Sequence, residues 1–197
     1  MAHYFTNDDN LKHNRREFSF YFMGKPYTFV TDDGVFSKDS LDYGTMVLLE
    51  MIMECPLGQT VLDLGCGYGP VGILLKQYHP ELKVTIADVN ERATELAKEN
   101  VKRYRLDNEV VVSDIYSNVH ATFDSIVVNP PIRAGKAVIY AMFDGAADRL
   151  NPGGTLYVVM RKSHGANSAM AHLTEIFGHC EMIGREKGYF VFKSTKN

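Results

Sequence analysis

The chain has 197 residues, 45% hydrophobic and 23% charged, enough apolar material for one sheet-and-helix core and too much for a disordered chain. A formal net charge of −3 gives bulk electrostatics no hold on nucleic acid or an anionic membrane, so any nucleic-acid surface has to be a local patch. Cys55, Cys66 and Cys180 lack the spacing of a zinc site or disulfide framework, the start MAHYFTNDDNLKHNRREF has no signal-peptide core, and no run reaches the roughly 18 apolar residues of a membrane span. These features lead us to expect a cytoplasmic protein with no metal and no membrane partner.

In chain order, Glu17 to Val30 alternates Phe18, Phe20 and Phe22 and carries Gly24 and Pro26 where it should turn, which predicts a β-hairpin. Thr31 to Gly34 (TDDG) is a further turn. From about Ser40 to Glu54, Val47, Leu48, Met51 and Ile52 share one helical face before Pro56 and Gly58 stop it. Residues 1–58 therefore read as a hairpin and helix extension, and 59–197 as the core of a single structural domain.

From Thr60 onward short β runs alternate with helical stretches, the pattern of an α/β fold around a mostly parallel sheet. The strand candidates are TVLDL, KVTIAD, EVVVSD, FDSIVVNP and GTLYVVM. Between the second and third, Asn90 to Leu106 places Ala93, Leu96, Ala97, Val101 and Tyr104 at helical spacing with charges elsewhere, as an outer helix on a sheet should. Runs at Cys180 to Arg185 and Tyr189 to Lys193 flank a Lys187-Gly188 turn and read as a closing antiparallel pair.

The first core strand ends in Asp63-Leu64-Gly65-Cys66-Gly67-Tyr68-Gly69, whose glycines let backbone lie against a ligand. Its G-x-G-x-G spacing is neither the dinucleotide fingerprint nor a P-loop, so a phosphate cradle is disfavoured. A nucleoside ligand without phosphates, such as S-adenosylmethionine, suits it better. Asp88 ends the second strand, where a carboxylate can accept from both ribose hydroxyls, with Val89 beside it. Asp114 ends the third, within reach of an adenine amino group, with Ile115 placed to pack on the ring; Asp63 could assist the ammonium group through the loop. Each acid alone also suits a cap or a turn, but three at successive strand ends mark one ligand edge.

Asn129-Pro130-Pro131 ends the fourth strand. Two prolines remove two backbone donors and hold the chain extended with carbonyls free to accept. If the Asn129 side-chain oxygen and the Pro130 carbonyl accept the two N–H bonds of a planar amine or amide, its lone pair is aimed at the methyl. No metal is required. The seven histidines are scattered and read as surface or packing residues, and Cys66 as a small loop side chain.

VLDLGCGYGPVGI (61–73) with VVNPP (127–131) resembles the class I methyltransferases that modify amino nitrogens. GVFSKDSLDYGTMVLL (34–49), NPPIRAGK and RKSHGANS narrow the resemblance to the RsmC-like "methyltransferase small" family of guanine-N2 methyltransferases of small-subunit ribosomal RNA, over nearly the whole chain. The resemblance implies a Rossmann-like class I fold with a seven-stranded mixed sheet. It implies S-adenosylmethionine binding by Gly65, Gly67, Gly69, Asp88 and Asp114, with Asn129 and Pro130 orienting a guanine amino group and Phe36, Asp42 and Thr45 lining the pocket. One position departs: amino methyltransferases often carry an aromatic after the two prolines, and here it is Ile132, leaving Phe36 or Tyr43 as candidates for base stacking. The family also has longer members with a duplicated domain, and this sequence shows one copy.

For contact with ribosomal RNA or the small subunit, the candidates are Arg133 and Lys136 after the Asn-Pro-Pro corner, Arg161, Lys162 and His164 after the fifth strand, and Lys12, Arg15 and Arg16 in the lead. Lys98, Lys102, Arg103 and Arg105 read as an ordinary exposed helix face. A protein glutamine amide or a DNA adenine would suit the same corner, and a cofactor-binding ribosome-assembly module without turnover is the alternative from another class.

Overall fold

The computed structural model describes residues 12–197. The polar start as far as position 11, His3 included, lies outside the described residues. The elements are β1 (Arg16–Phe22), β2 (Lys25–Thr31), α1 (Tyr43–Ile52), β3 (Thr60–Leu64), α2 (Pro70–Tyr78), β4 (Lys83–Asp88), α3 (Glu91–Arg103), β5 (Glu109–Val112), β6 (Phe123–Val128), α4 (Lys136–Arg149), β7 (Leu150–Arg161), α5 (Ala166–Phe177), β8 (Glu181–Glu186) and β9 (Tyr189–Thr195).

Strands β3 to β9 form one seven-stranded sheet in the order β5-β4-β3-β6-β7-β9-β8, and β1 and β2 form a separate antiparallel hairpin. β5, β4, β3, β6 and β7 run parallel, while β9 and β8 add antiparallel at one side. The expected seven-stranded mixed sheet is therefore present. The strand order reverses at β3, between β4 and β6, and ligands of open α/β sheets bind at the carboxyl ends of strands around such a switch.

Several boundaries move for local reasons. β5 stops at Val112, not Asp114, because the Ser113 hydroxyl donates to the Ile115 carbonyl and accepts from Asn118 N, bending the chain away from the ladder. β7 begins early, at Leu150, and its Asn-Pro-Gly-Gly segment bulges between the Phe123–Leu150 and Ser125–Thr155 pairs. α1 begins at Tyr43 because Asp42 caps it, its carboxylate accepting from Thr45 N at 2.8 Å.

Two apolar clusters cover the two faces of the sheet. One combines α1, α2 and α3 with the hairpin residues Phe22, Tyr27, Phe29 and Val30; the other combines α4 and α5 with Leu62, Ile126 and Leu156. The hairpin thus shares a core with the sheet. Asn100, fully buried on α3, accepts from Val30 N at 2.8 Å and donates to the carbonyls of Val30 and Tyr68, each at 3.0 Å. The Tyr104 hydroxyl likewise exchanges hydrogen bonds with the backbone of Thr28. Side chains of α3 satisfy the free edge of β2 that a neighbouring strand would otherwise take.

Candidate active site

Three strands end level with one another. Leu64 lies opposite Ala87 on one side and Val128 on the other, so the glycine loop, Asp88 and Asn129 begin side by side at the switch point. Gly65 N and Cys66 N both donate to the Ala87 carbonyl, at 2.8 and 3.0 Å, which ties the loop to β4.

The glycines divide by what they face. A side chain at Gly67 would meet nothing within 4 Å, so this residue, at a φ of +55°, borders open space. Gly72, one turn into α2, is the reverse: a Cβ there would lie 2.2 Å from a methyl of Ile86, so its absence lets α2 press onto β4. Gly72 escaped the sequence reading because it lies past the G-x-G-x-G pattern.

The acids at the loop are desolvated. Asp63 is buried and accepts from Gly72 N at 2.9 Å; burial, with the Asp88 charge adding to it, pushes its carboxyl up to about 7. Asp88 accepts from Gly67 N at 2.8 Å and Asn90 N at 2.9 Å, and desolvation still raises it above the ordinary carboxylate range. Val89 stands half-buried next to it. Cys66 is buried, and desolvation together with the two aspartates raises its thiol, so it stays protonated and is no nucleophile. Two desolvated carboxylates beside an open loop repel a phosphate and favour a cation, so the residues present fit a sulfonium- and ammonium-bearing ligand. The helix after Asp88 is capped by Asn90, whose side chain accepts from Ala93 N, so Asp88 is not needed as its cap.

At the next strand end Asp114 is exposed, and Ile115 has a φ of +50°. A β-branched residue in the left-handed region is strained by about 1–3 kcal/mol and persists only where its surroundings over-determine it. Here Ser113 donates to the Ile115 carbonyl, Asp114 N donates to the Ser117 hydroxyl and Ser117 N to the Asp114 carbonyl.

At the Asn-Pro-Pro corner, Asn129 Nδ2 donates to Asp42 Oδ2 at 2.9 Å and to Thr45 Oγ1 at 2.8 Å. A carboxylate only accepts, so this pairing fixes which end of the amide is nitrogen and turns Oδ1 away as an acceptor. Asp42 and Thr45, expected as pocket lining, meet the site by holding Asn129. Pro130 is buried, and the Pro131 carbonyl accepts from Ala134 N at 2.9 Å as a short 3-10 turn (Ile132–Ala134) starts. Ile132 is half-buried against the α4–α5 cluster, an apolar packing role.

The surface candidates separate as well. Arg133, Lys162 and His164 are exposed; Lys136 lies over the Tyr140 ring at 4.7 Å, and Arg161 over Tyr189 at 5.7 Å. Lys12 is exposed, whereas Arg15 pairs with Glu99 at 2.9 Å and Arg16 with Asp33 and Asp39, so these two arginines are already neutralised by their own chain. Phe36 is exposed on the turn before α1. Tyr43 and Tyr189, with ring centroids 5.7 Å apart, flank the start of α1; Tyr189 sits against Gly44, a placement that only the fold reveals. Among the described residues no group of three or more His, Cys, Asp or Glu could hold a metal, and no helix is long and apolar enough to cross a membrane.

The family model for the methyltransferase small domain matches residues 26–193. The chain belongs to the methyltransferase small domain family. It is 40% identical over 197 residues to the protein YbxB of Bacillus subtilis (strain 168), covering 98% of each. It is 37% identical over 170 residues to ribosomal RNA small subunit methyltransferase C of Photorhabdus laumondii, covering 83% of this chain and 48% of that protein. In structure it is similar to the Thermus (T. thermophilus) 16S rRNA N2 G1207 methyltransferase RsmC, solved in complex with AdoMet and guanosine. The TM-score is 0.83 at 29% identity, covering 93% of this chain and 51% of that chain. The chain thus spans about half the length of the methyltransferase C relatives it matches.

Proposed function

We propose that this chain is an S-adenosylmethionine-dependent N-methyltransferase that modifies the exocyclic N2 of a guanine in small-subunit ribosomal RNA, in the cytoplasm. Residues 59–197 form its catalytic core, and 1–58 an extension that brings Asp42 and Thr45 to it. The observation that carries the reading is the clamp of Asp42 and Thr45 on the Asn129 amide, beside a glycine loop flanked by two desolvated carboxylates.

S-adenosylmethionine, when bound, supplies a methyl group activated by a sulfonium. Gly65, Gly67 and Gly69 give it backbone to lie on, with Cys66 filling the loop behind. Asp88 accepts from the ribose hydroxyls, Asp114 from the adenine amino group, and Val89 and Ile115 enclose the ring. Asp63 and Asp88 would favour the positive charge of the bound cofactor.

On the acceptor side, Asn129 Oδ1 and the Pro130 carbonyl accept the two N–H bonds of the guanine amine. A lone pair otherwise delocalised into the ring is then held toward the methyl. Pro131 keeps the corner free of a competing backbone donor. The target base has to leave its stack to reach this depth. The T. thermophilus relative's guanosine complex supports guanine over the adenine and glutamine alternatives.

Incubation with methyl-tritiated cofactor and, separately, ribosomal subunits, naked RNA, DNA and total protein tests the reading. Label is expected in small-subunit RNA, at guanine N2 after nuclease digestion. Asn129→Ala should lower turnover about 10²- to 10³-fold with cofactor affinity near wild type. Label confined to protein or DNA, or full activity in the variant, would reject it.

A further inference from the structure

We infer that the RNA strand carrying the target base crosses the sheet edge over a basic aromatic rim formed by Tyr43, Tyr189, Arg161, Lys162 and Lys187. The inference rests on the proposed RNA substrate and adds where the strand docks and what takes the place of the aromatic absent at Ile132.

Three elements converge on the rim. Tyr43 is the first residue of α1, next to Asp42, which clamps Asn129. Tyr189 opens β9 directly across from Arg161, the last residue of β7. Lys162 N donates to the Gly188 carbonyl at 2.8 Å, tying the exit of β7 to the turn between β8 and β9. The two rings are half-buried and inclined at 56°, which offers edges and faces over a short span.

The cations stand on these rings. Arg161 lies 5.7 Å from the Tyr189 centroid, and Lys187 Nζ 4.8 Å from that of Tyr43. Lys187 has its ammonium 3.9 Å from Glu186, whose carboxylate accepts from the Tyr43 hydroxyl. Arg161, Lys162 and Lys187 are exposed, so the three cations of the rim outnumber Glu186 and Glu50, the two acids whose charges reach Lys187. Rings for unpaired bases beside cations for the backbone are what a single-stranded nucleic acid needs. Neither an acidic peptide nor a regular duplex would use the rings.

The basic stripe of Lys98, Lys102 and Arg105 borders a shallow groove of about 590 Å³ against β5, and no aromatic residue lines it. It serves as the internal control.

The experiment measures binding of the full chain to a fluorescent single-stranded RNA of small-subunit sequence, with cofactor affinity as the check on folding. Arg161→Ala with Lys187→Ala should weaken RNA binding at least tenfold and flatten the log–log salt dependence by about 0.7 for each lost phosphate contact. Tyr43→Ala should weaken it about tenfold with the salt slope unchanged. Lys98→Glu with Lys102→Glu should leave both near wild type.

The inference is overturned if the rim variants bind RNA like wild type while wild type still methylates it, or if the stripe variant alone loses affinity. It is equally overturned if polyglutamate of matched charge competes as well as RNA does. Wild type that labels no RNA at all would instead bring down the proposed substrate, and this inference with it.

Discussion

The two ends of the parallel sheet treat their aspartates in opposite ways. At the amino end Asp124 accepts from Gln59 N, Thr60 N, the Thr60 hydroxyl and Asn151 Nδ2, at 2.8 to 3.1 Å. The Asn151 bond and the backbone donors hold its carboxyl below the ordinary range. At the carboxyl end Asp63 has Gly72 N, Asp88 has Gly67 N and Asn90 N, and burial pushes both up. One end is electrostatically finished within the chain. The other leaves two carboxylates desolvated and raised, an arrangement that a cationic ligand would relieve.

The comparison is tested most severely at the finished end. Asp124→Ala removes four hydrogen bonds and leaves the Gln59 and Thr60 amides to the solvent that reaches this half-buried site. We expect a loss of about 2–3 kcal/mol in urea unfolding, with methyl transfer per folded molecule unchanged. A stable variant with impaired transfer would mean that the amino end takes part in function and that the contrast is misplaced.

Only the carboxyl-end half of this contrast was readable before any coordinates; the amino-end role of Asp124 comes from the fold alone. The strands TVLDL and KVTIAD run as their alternation with helices predicts, and Asp63 and Asp88 fall at the carboxyl ends of adjacent parallel strands, whereas Asp114 lies past the end of β5. Contacts between distant segments were not readable. Nothing in the local pattern around Asn100 announces that a helix amide will bond the edge of a hairpin 70 positions away. The resemblance pointed to Asp42 and Thr45 as pocket lining, yet their grip on Asn129 required α1 to be seated beside β6. Tyr189 read as an ordinary strand residue, and only the antiparallel return of β9 carries it to the rim. Arg15 and Arg16 show the same dependence on distant contacts: the carboxylates that pair with them are brought up only by the fold.

A pH titration sharpens the comparison with a smaller effect. Between the ordinary carboxylate range and about pH 7 the folded chain keeps a proton on Asp63 that the unfolded chain releases. Its contribution is therefore complete at low pH and disappears as pH rises toward 7, at up to about 1.4 kcal/mol per pH unit. Asp124 has the opposite sign: its contribution is present above the ordinary carboxylate range and is lost as pH falls through its depressed value. Asp63→Asn keeps an acceptor for Gly72 N without the charge. It should exceed wild type in stability at pH 8, the gap closing toward pH 4 and narrowing when saturating S-adenosylmethionine is added. Parallel stability curves for the two proteins would show that Asp63 carries no uncompensated charge.

The smallest effect separates strain kept for binding from strain that is merely tolerated. Ile115→Gly relieves the left-handed conformation at a φ of +50° and removes a partly buried side chain from the edge of the α4–α5 cluster. Relief of about 1–3 kcal/mol offsets the lost packing, so stability should stay within about 1 kcal/mol of wild type. Cofactor affinity, measured by titration calorimetry, should fall by roughly fivefold, because the apolar surface proposed to lie on the adenine ring is gone. Unchanged affinity together with a large loss of stability would place Ile115 with the self-satisfied groups of the amino end. The strain at the carboxyl end would then belong to the fold and not to the ligand.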